Sequence, residues 1–245
     1  MRLQFLGTGG YHPNERRHTA CLMFPELRLV FDAGSSAFRV ASRVVSPDLD
    51  VFLTHPHLDH IVGLTFLLVP MLKGEIGKCR IHASTETISA VQQHLFSQPL
   101  FPVLPDFEFQ PLGDRIAVGH GKAFVTHHPL NHPGGSLGYL LECGGKKFAY
   151  ITDTIADGSY TDFIRGVDVL VHECNFPDDM AEWAPKTGHS HTSQVAKIAK
   201  AAGVKRLFLT HIDPQRSDDD PIGIDLARSI FAETTVAEDL MQVDV

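Results

Sequence analysis

Five short apolar runs in this chain each end in a side chain able to hold a metal ion or a proton, and that repetition constrains the fold more than any single motif. Leu29, Val30 and Phe31 end at Asp32; Val51, Phe52 and Leu53 run through Thr54 into His55; Phe148, Ala149, Tyr150 and Ile151 run into Asp153. Further on, Val169, Leu170 and Val171 end at His172, and Leu207, Phe208 and Leu209 reach His211 through Thr210. Runs of three to five bulky apolar residues are too short for helices and read as buried strands. Functional groups in layered α/β folds collect at the C-terminal ends of such strands. Five polar ends therefore predict one rim.

Helical patterns lie between these strands, at residues 35–45, 85–96 and Thr192–Ala202. The last has Val195, Ile198, Ala199 and Ala202 on one face, Ser190 or Thr192 as N-cap and Gly203 as terminator. Residues 99–105 are Pro-rich and read as a loop, and from 107 to 151 strands alternate with glycine turns such as Gly144-Gly145. Each half of the chain has a β-rich stretch and a strand ending in Thr-His, at Thr54-His55 and Thr210-His211. The expected architecture is α/β, a four-layer αββα sandwich of two similar halves in a single domain spanning 1–245.

The densest chemistry is Thr54-His55-Pro56-His57-Leu58-Asp59-His60. Three imidazoles and a carboxylate in seven residues suit Zn²⁺, Mn²⁺ or iron. Alternate side chains of an extended segment point the same way, so His55 and His57 can share one ion. Asp59 and His60 are adjacent and diverge, and a helix starting there would aim them at a second position nearby. The spacing predicts two ions.

Composition narrows the function. At 245 residues the chain can bury roughly three quarters of its unfolded surface. With 43% hydrophobic and 20% charged residues and no apolar run near the roughly 18 residues of a membrane span, it reads as a soluble protein. A strand-like Leu3 to Leu6 directly after Met1 predicts no signal peptide, so a cytoplasmic location is expected. Cys21, Cys79, Cys143 and Cys174 lack Cys-x-x-Cys spacing, which predicts reduced thiols rather than disulfides or a zinc knot. The net charge of −8 makes a nucleic-acid partner unlikely, because phosphate contacts need clustered Lys and Arg. Arg16-Arg17, with His18, is the one obvious basic site and reads either as a phosphate contact or as a solvated loop.

Taken in order, Asp32, the segment from His55 to His60, His132, Asp153 and His211 resemble the metallo-β-lactamase superfamily along nearly the whole chain. The opening Phe5-Leu6-Gly7-Thr8-Gly9-Gly10 is similar to the ribonuclease Z and phosphodiesterase branch. Pro129-Leu130-Asn131-His132, Leu137 to Glu142, Tyr150-Ile151-Thr152-Asp153-Thr154 and Gly188-His189-Ser190-His191-Thr192 resemble the phosphoribosyl cyclic phosphodiesterases. The resemblance implies that His55, His57 and His132 hold one divalent ion, that Asp59, His60 and His211 hold the other, and that Asp153 bridges them. It implies Asp32 behind the ligands, and a bridging hydroxide as the nucleophile. Asp59 also belongs to the expected catalytic set, with His189 or His191 as general acid. His172 and Glu173 are expected to hydrogen-bond behind the site; His127 and His128 are expected to be strand or surface histidines.

Two features depart from those relatives. Ribonuclease Z carries a Gly- and Pro-rich arm that grips tRNA, and no insertion of that kind is visible; the cyclic phosphodiesterases carry a cysteine-containing zinc site, and no cysteine cluster is visible here. The expected function is hydrolysis of a small or cyclic phosphodiester or nucleotide with two ions, Zn²⁺ or Mn²⁺, iron being acceptable to the same donors. The rivals are hydrolysis of an ester, lactone or thioester and a non-catalytic accessory role in biosynthesis; tRNA 3′ cleavage ranks lower. The sequence leaves the oligomeric state open, a homodimer being common among such proteins.

Overall fold

The alternation of side chains within the short strands decides the layering. Along Val51 and Phe52, and along Phe148, Ala149, Tyr150 and Ile151, successive residues belong to different cores. In the computed structural model, which describes residues 1–216 and 218–245, the strands form two sheets. The first contains β1 (Arg2–Gly7), β2 (Cys21–Phe24), β3 (Leu29–Phe31), β4 (Leu49–Phe52), β5 (Cys79–Ala83) and β6 (Phe107–Pro111). The second contains β7 (Ile116–Val118), β8 (Ala123–Leu130), β9 (Ser136–Cys143), β10 (Lys146–Ile151), β11 (Val169–Glu173), β12 (Leu207–Thr210) and β13 (Thr234–Val236). The last strand, β14 (Gln242–Asp244), returns to pair antiparallel with β1 at the edge of the first sheet. Each sheet has seven strands, in sequential order apart from β14, with parallel pairing from β3 to β6 and from β10 to β13 and antiparallel pairing elsewhere.

Three apolar clusters separate four layers. Phe5, Phe24, Phe31, Phe52, Tyr139, Phe148 and Tyr150 fill the space between the sheets. Val30, Val51 and Ile81 face helical turns outside the first sheet, while Ala149, Leu170 and Leu209 face the helix Thr192–Ala202 outside the second. The αββα sandwich expected from the runs is the observed fold. The two inter-sheet tyrosines bury their rings and reach polar partners at the rim: Tyr139 donates its hydroxyl proton to the Leu53 carbonyl at 2.6 Å, and Tyr150 donates to Asp32 Oδ2 at 3.0 Å.

Helix boundaries depart from the sequence reading where tertiary contacts intervene. Residues 35–45 form two 3₁₀ turns, Ser35–Arg39 and Ala41–Arg43. The Ser36 hydroxyl is drawn to the Thr19 carbonyl and Arg39 to Asp239, which ties the segment down too tightly for a continuous α-helix. Residues 85–96 are α-helical over Thr85–Ala90, capped by Ser84, and then widen to a π-turn over Val91–Leu95. The helix Thr192–Ala202 has the expected limits and ends at Gly203 in the left-handed region, φ 63°. Its first turn is capped neither by Ser190 nor by Thr192. Both hydroxyls donate to carbonyls elsewhere, Thr154 and Ile222, and Asp178 Oδ1 accepts from the Ser193 amide at 2.8 Å.

Candidate metal centre

Three of the five strand-end residues turn out of their strands in an unusual backbone conformation. Asp32, Asp153 and His211 have φ of 58°, 46° and 56°, the left-handed region that non-glycine residues seldom enter, at a cost of order 1–3 kcal/mol each. Each lies within two residues of a strand end, and the turn swings its side chain onto a common rim. His55 reaches the same rim just beyond β4. His57 precedes the short helix Leu58–Ile61, which places Asp59 and His60 in its first turn.

The side chains converge in two sets. In the first, His55 Nε2 and His57 Nδ1 are 2.9 Å apart, His57 Nδ1 and His132 Nε2 3.4 Å, and Asp153 Oδ2 lies 3.5 Å from His55 Nε2 and 3.8 Å from His132 Nε2. In the second, His60 Nε2 and His211 Nε2 are 3.4 Å apart, each 3.3–3.4 Å from Asp59 Oδ2 and 3.2 Å from Asp153 Oδ1. A tetrahedral ion with bonds of about 2.0–2.1 Å spaces neighbouring donors about 3.4 Å apart. Both sets have that spacing, and Asp153 gives one oxygen to each.

The far sides of the rings fix where the lone pairs point. His60 Nδ1–H donates to Asp32 Oδ2 at 2.8 Å and His132 Nδ1–H to the Gly188 carbonyl at 2.8 Å, so both Nε2 atoms face the cluster as acceptors. His55 Nδ1 meets the Thr54 hydroxyl at 3.0 Å. The Nε2 lone pairs of His60 and His132 face the buried Asp153 carboxylate, a repulsion that a cation between them removes. The donor set therefore fits divalent ions. Burial opposes charge on Asp153, yet His211, His60 and His55 hold its carboxyl well below the usual range; burial, then His60, depresses His55.

Asp32 is the hub behind the second set. Fully buried, it accepts from the Thr54 amide and hydroxyl, His60 and Tyr150. Loss of an outer partner of this kind costs roughly 10–100-fold in metal affinity. Asp32→Ala is expected to show that loss at one ion of two, read by competition with a chromogenic chelator; unchanged affinity at both ions would contradict it.

A cavity of about 160 Å³ opens over the two sets, lined by Tyr11, His57, Asp59, His132, Pro133, Asp153, Thr187, His189 and His211. Of the two candidate acids, His189 lines it and His191 does not. His191 turns away to Asp178, Nδ1 to Oδ1 3.0 Å. His189 Nδ1–H donates to Glu173 Oε1 at 3.0 Å, which leaves its other nitrogen for the cavity, and its ring stacks on His211 with centroids 5.2 Å apart. Glu173, fully buried, also accepts from the Thr154 and Ser190 amides. Burial works against charge on His189, but Glu173, Asp153 and Asp59 outweigh it and raise its pKa to about 9. A third group of donors, Glu173, His189 and His211, lies close enough to hold an ion, yet Glu173 is already committed to three N–H groups.

Other sequence candidates lie elsewhere. His172 accepts from the Tyr160 hydroxyl at 2.6 Å and donates to the Glu173 carbonyl; it is buried and stays outside the cavity. Arg17 is neither a phosphate contact nor solvated. Its buried guanidinium binds the Thr8 hydroxyl, the Ala237 carbonyl and Glu238, while His18 meets Ser35. His127 and His128 are in β8, and His128 stacks on Phe163. Tyr11, Pro133, Thr187 and the Gly188 carbonyl carried no sequence signal. Gly188 is required sterically: at φ 79°, a Cβ there would lie 2.2 Å from Pro133 Cδ and 2.9 Å from His132 Nδ1.

Comparison with known proteins agrees with this geometry. The chain is 29% identical to ribonuclease Z of Methanosarcina acetivorans over 303 aligned positions, covering all of this chain and 98% of that protein. Because 303 positions are aligned against 245 residues, at least 58 positions of the relative have no counterpart here. Among solved structures, the metallo-β-lactamase fold protein YhfI from Bacillus subtilis superposes with a TM-score of 0.83 at 22% identity, covering 99% of each chain. A diphosphatase from the PhnP family gives 0.74 at 21% identity, covering 100% of this chain and 97% of that one. The family model of the β-lactamase superfamily domain matches residues 27–212, a span that holds all seven clustered residues; the chain belongs to the β-lactamase superfamily and is a metal-dependent hydrolase of the metallo-β-lactamase fold.

Proposed function

We propose that this centre hydrolyses a small phosphodiester, a cyclic phosphate or a nucleotide derivative, with His55, His57 and His132 holding one divalent ion, Asp59, His60 and His211 the other, and Asp153 shared between them. The observation that carries the reading is the split of Asp153, whose two oxygens lie 3.2–3.8 Å from two separate sets of imidazole nitrogens. Bound there, two such ions neutralise phosphoryl charge and make a water acidic enough to lose its proton near neutrality. The donors suit Zn²⁺ or Mn²⁺, and iron through the same nitrogen and oxygen atoms. His189 stands over the same cavity with its outer nitrogen free, placed to give a proton to the departing oxygen. Glu173 holds the ring and keeps it charged.

The relatives' name, ribonuclease Z, supports a second reading, cleavage of an RNA phosphodiester. The net charge of −8 and the 58 or more positions that this chain does not fill favour the smaller substrate. Among the described residues no helix is long and apolar enough to cross a membrane, and four free cysteines suit a reducing compartment such as the cytoplasm.

The test is a substrate panel on protein stripped with a chelator and reloaded with Zn²⁺ or Mn²⁺. Bis-p-nitrophenyl phosphate is expected to turn over only after reloading, with esters, lactones and thioesters far slower. Carbonyl turnover exceeding phosphodiester turnover would overturn the proposal, and precursor tRNA outpacing every small phosphodiester would favour the second reading.

A further inference from the structure

Beside the metal cavity lies a second, larger one of about 430 Å³, and the two share Tyr11, Thr187 and His189. Its size falls within the roughly 300–1,000 Å³ of small-molecule sites, whereas the cavity over the ions, at about 160 Å³, has room for little more than a phosphoryl group. Trp183, Tyr11, Phe176 and Met180 make its walls, and Asn175, Asp213 and Gln215 supply the polar groups. Trp183 and Tyr11 are 48% and 72% exposed, aromatic faces left open beside the site.

Asn175 is the polar group best placed to meet a ligand. It is 8% exposed, and its carboxamide makes no hydrogen bond among the described residues although it lines the cavity. Its amide atoms stay open to the cavity, since the buried side-chain atoms without a partner among the described residues are His211 Nδ1 and Arg216 Nε, so they are free to meet a ligand. A carboxamide presents one donor and one acceptor side by side, the pattern that pairs with the edge of a nucleobase. Open aromatic faces suit its π-surface.

Charge narrows the ligand further. Among the described residues no lysine or arginine lines the cavity, and Asp213 does. Of the cations beside it, Lys186 lies over the Trp183 ring, 5.0 Å from its centroid, and pairs with Glu182, while Arg216 pairs with Asp218 at 3.6 Å and its buried Nε has no partner among the described residues. The lining itself thus offers a second phosphate only a carboxylate, and an uncharged nucleoside meets no such repulsion.

We infer that this cavity is the leaving-group pocket of the phosphodiesterase and takes a nucleoside. The inference rests on the function proposed above. His189 stands on the boundary between the two cavities, so the bond that breaks is the one between phosphorus and the nucleoside's ester oxygen. Water supplies the oxygen that joins phosphorus, His189 supplies the proton that the departing oxygen takes up, and the nucleoside alcohol leaves with the electron pair. For a cyclic nucleotide the same steps open the ring.

Trp183 is the one tryptophan of the chain, so its fluorescence reports this cavity alone. Titrating metal-free protein with adenosine, cytidine, guanosine and uridine is expected to quench it saturably, with at least one base well ahead of the rest and ribose without effect. In the metal-loaded enzyme, kcat/KM for a nucleoside 2′,3′-cyclic phosphate is expected to exceed that for the base-free ribose analogue by roughly ten- to a hundredfold, the range that base stacking supplies. That ratio is expected to fall toward one in Trp183→Ala, a half-exposed position where an unchanged circular-dichroism spectrum and melting temperature check that the variant is folded, and in Asn175→Ala. Absence of quenching by every nucleoside, or a ratio near one in the unaltered enzyme, overturns the pocket while leaving the phosphodiesterase in place. Quenching by nucleosides in a protein that hydrolyses no phosphodiester retains the pocket and removes the reaction.

Discussion

Asp153→Asn is expected to lower the metal content from two ions per chain to one or none and to reduce kcat/KM for a phosphodiester on the order of 10³-fold or more, beyond the 10–100-fold that an outer partner costs. Among the described residues, Asp153 is the one side chain that faces both sets of imidazoles, through Oδ2 on one side and Oδ1 on the other. Without its charge the first set consists of neutral imidazoles only, and the second keeps a single carboxylate, Asp59. Asparagine is the informative replacement. It tolerates the left-handed backbone at φ 46° and can still accept from the Thr152 hydroxyl, 2.7 Å away in the unaltered protein, so the change isolates charge from strain. Emission spectrometry for metals and steady-state rates at saturating Zn²⁺ check it. A variant that keeps two ions and normal rates would contradict the shared role.

The second large effect belongs to His189. His189→Gln is expected to lower kcat by about 10²–10⁴-fold on substrates with an alkoxide leaving group, with both ions retained. With p-nitrophenolate, which departs without a proton, the loss is expected to shrink to a few-fold. His191→Gln, altering a ring turned toward Asp178, is expected to leave the rates within a few-fold of normal. An equal loss on both leaving groups would remove the acid role, and loss of an ion from His189→Gln would instead make Glu173, His189 and His211 a metal site in their own right.

Much of this arrangement was legible in the chain because strand ends are local. Asp32, His55, Asp153 and His211 each follow a short apolar run that cannot be a helix, and two parallel blocks of such strands bring their C-terminal ends to one rim. The turn of each side chain onto that rim was not legible, since it depends on left-handed backbone at Asp32, Asp153 and His211 that no local pattern announces. Contacts across great sequence distances were equally hidden. Tyr150 and Asp32 are 118 positions apart, and Arg17 is buried by partners some 220 positions away, so its position in a loop near the N-terminus was misleading. The choice between His189 and His191 fell to Glu173 and Asp178, which take one ring each and face it in different directions. The 3₁₀ turns over residues 35–43 follow the same rule: tertiary anchors at Thr19 and Asp239 override a helical pattern.

The most direct measurement is a metal titration of chelator-stripped protein, following bound ions per chain and hydrolysis of bis-p-nitrophenyl phosphate in the same samples. Two ions per chain at saturation, with activity rising steeply only as the second is filled, is the result a shared Asp153 centre predicts. Full activity at one ion per chain or fewer would contradict it.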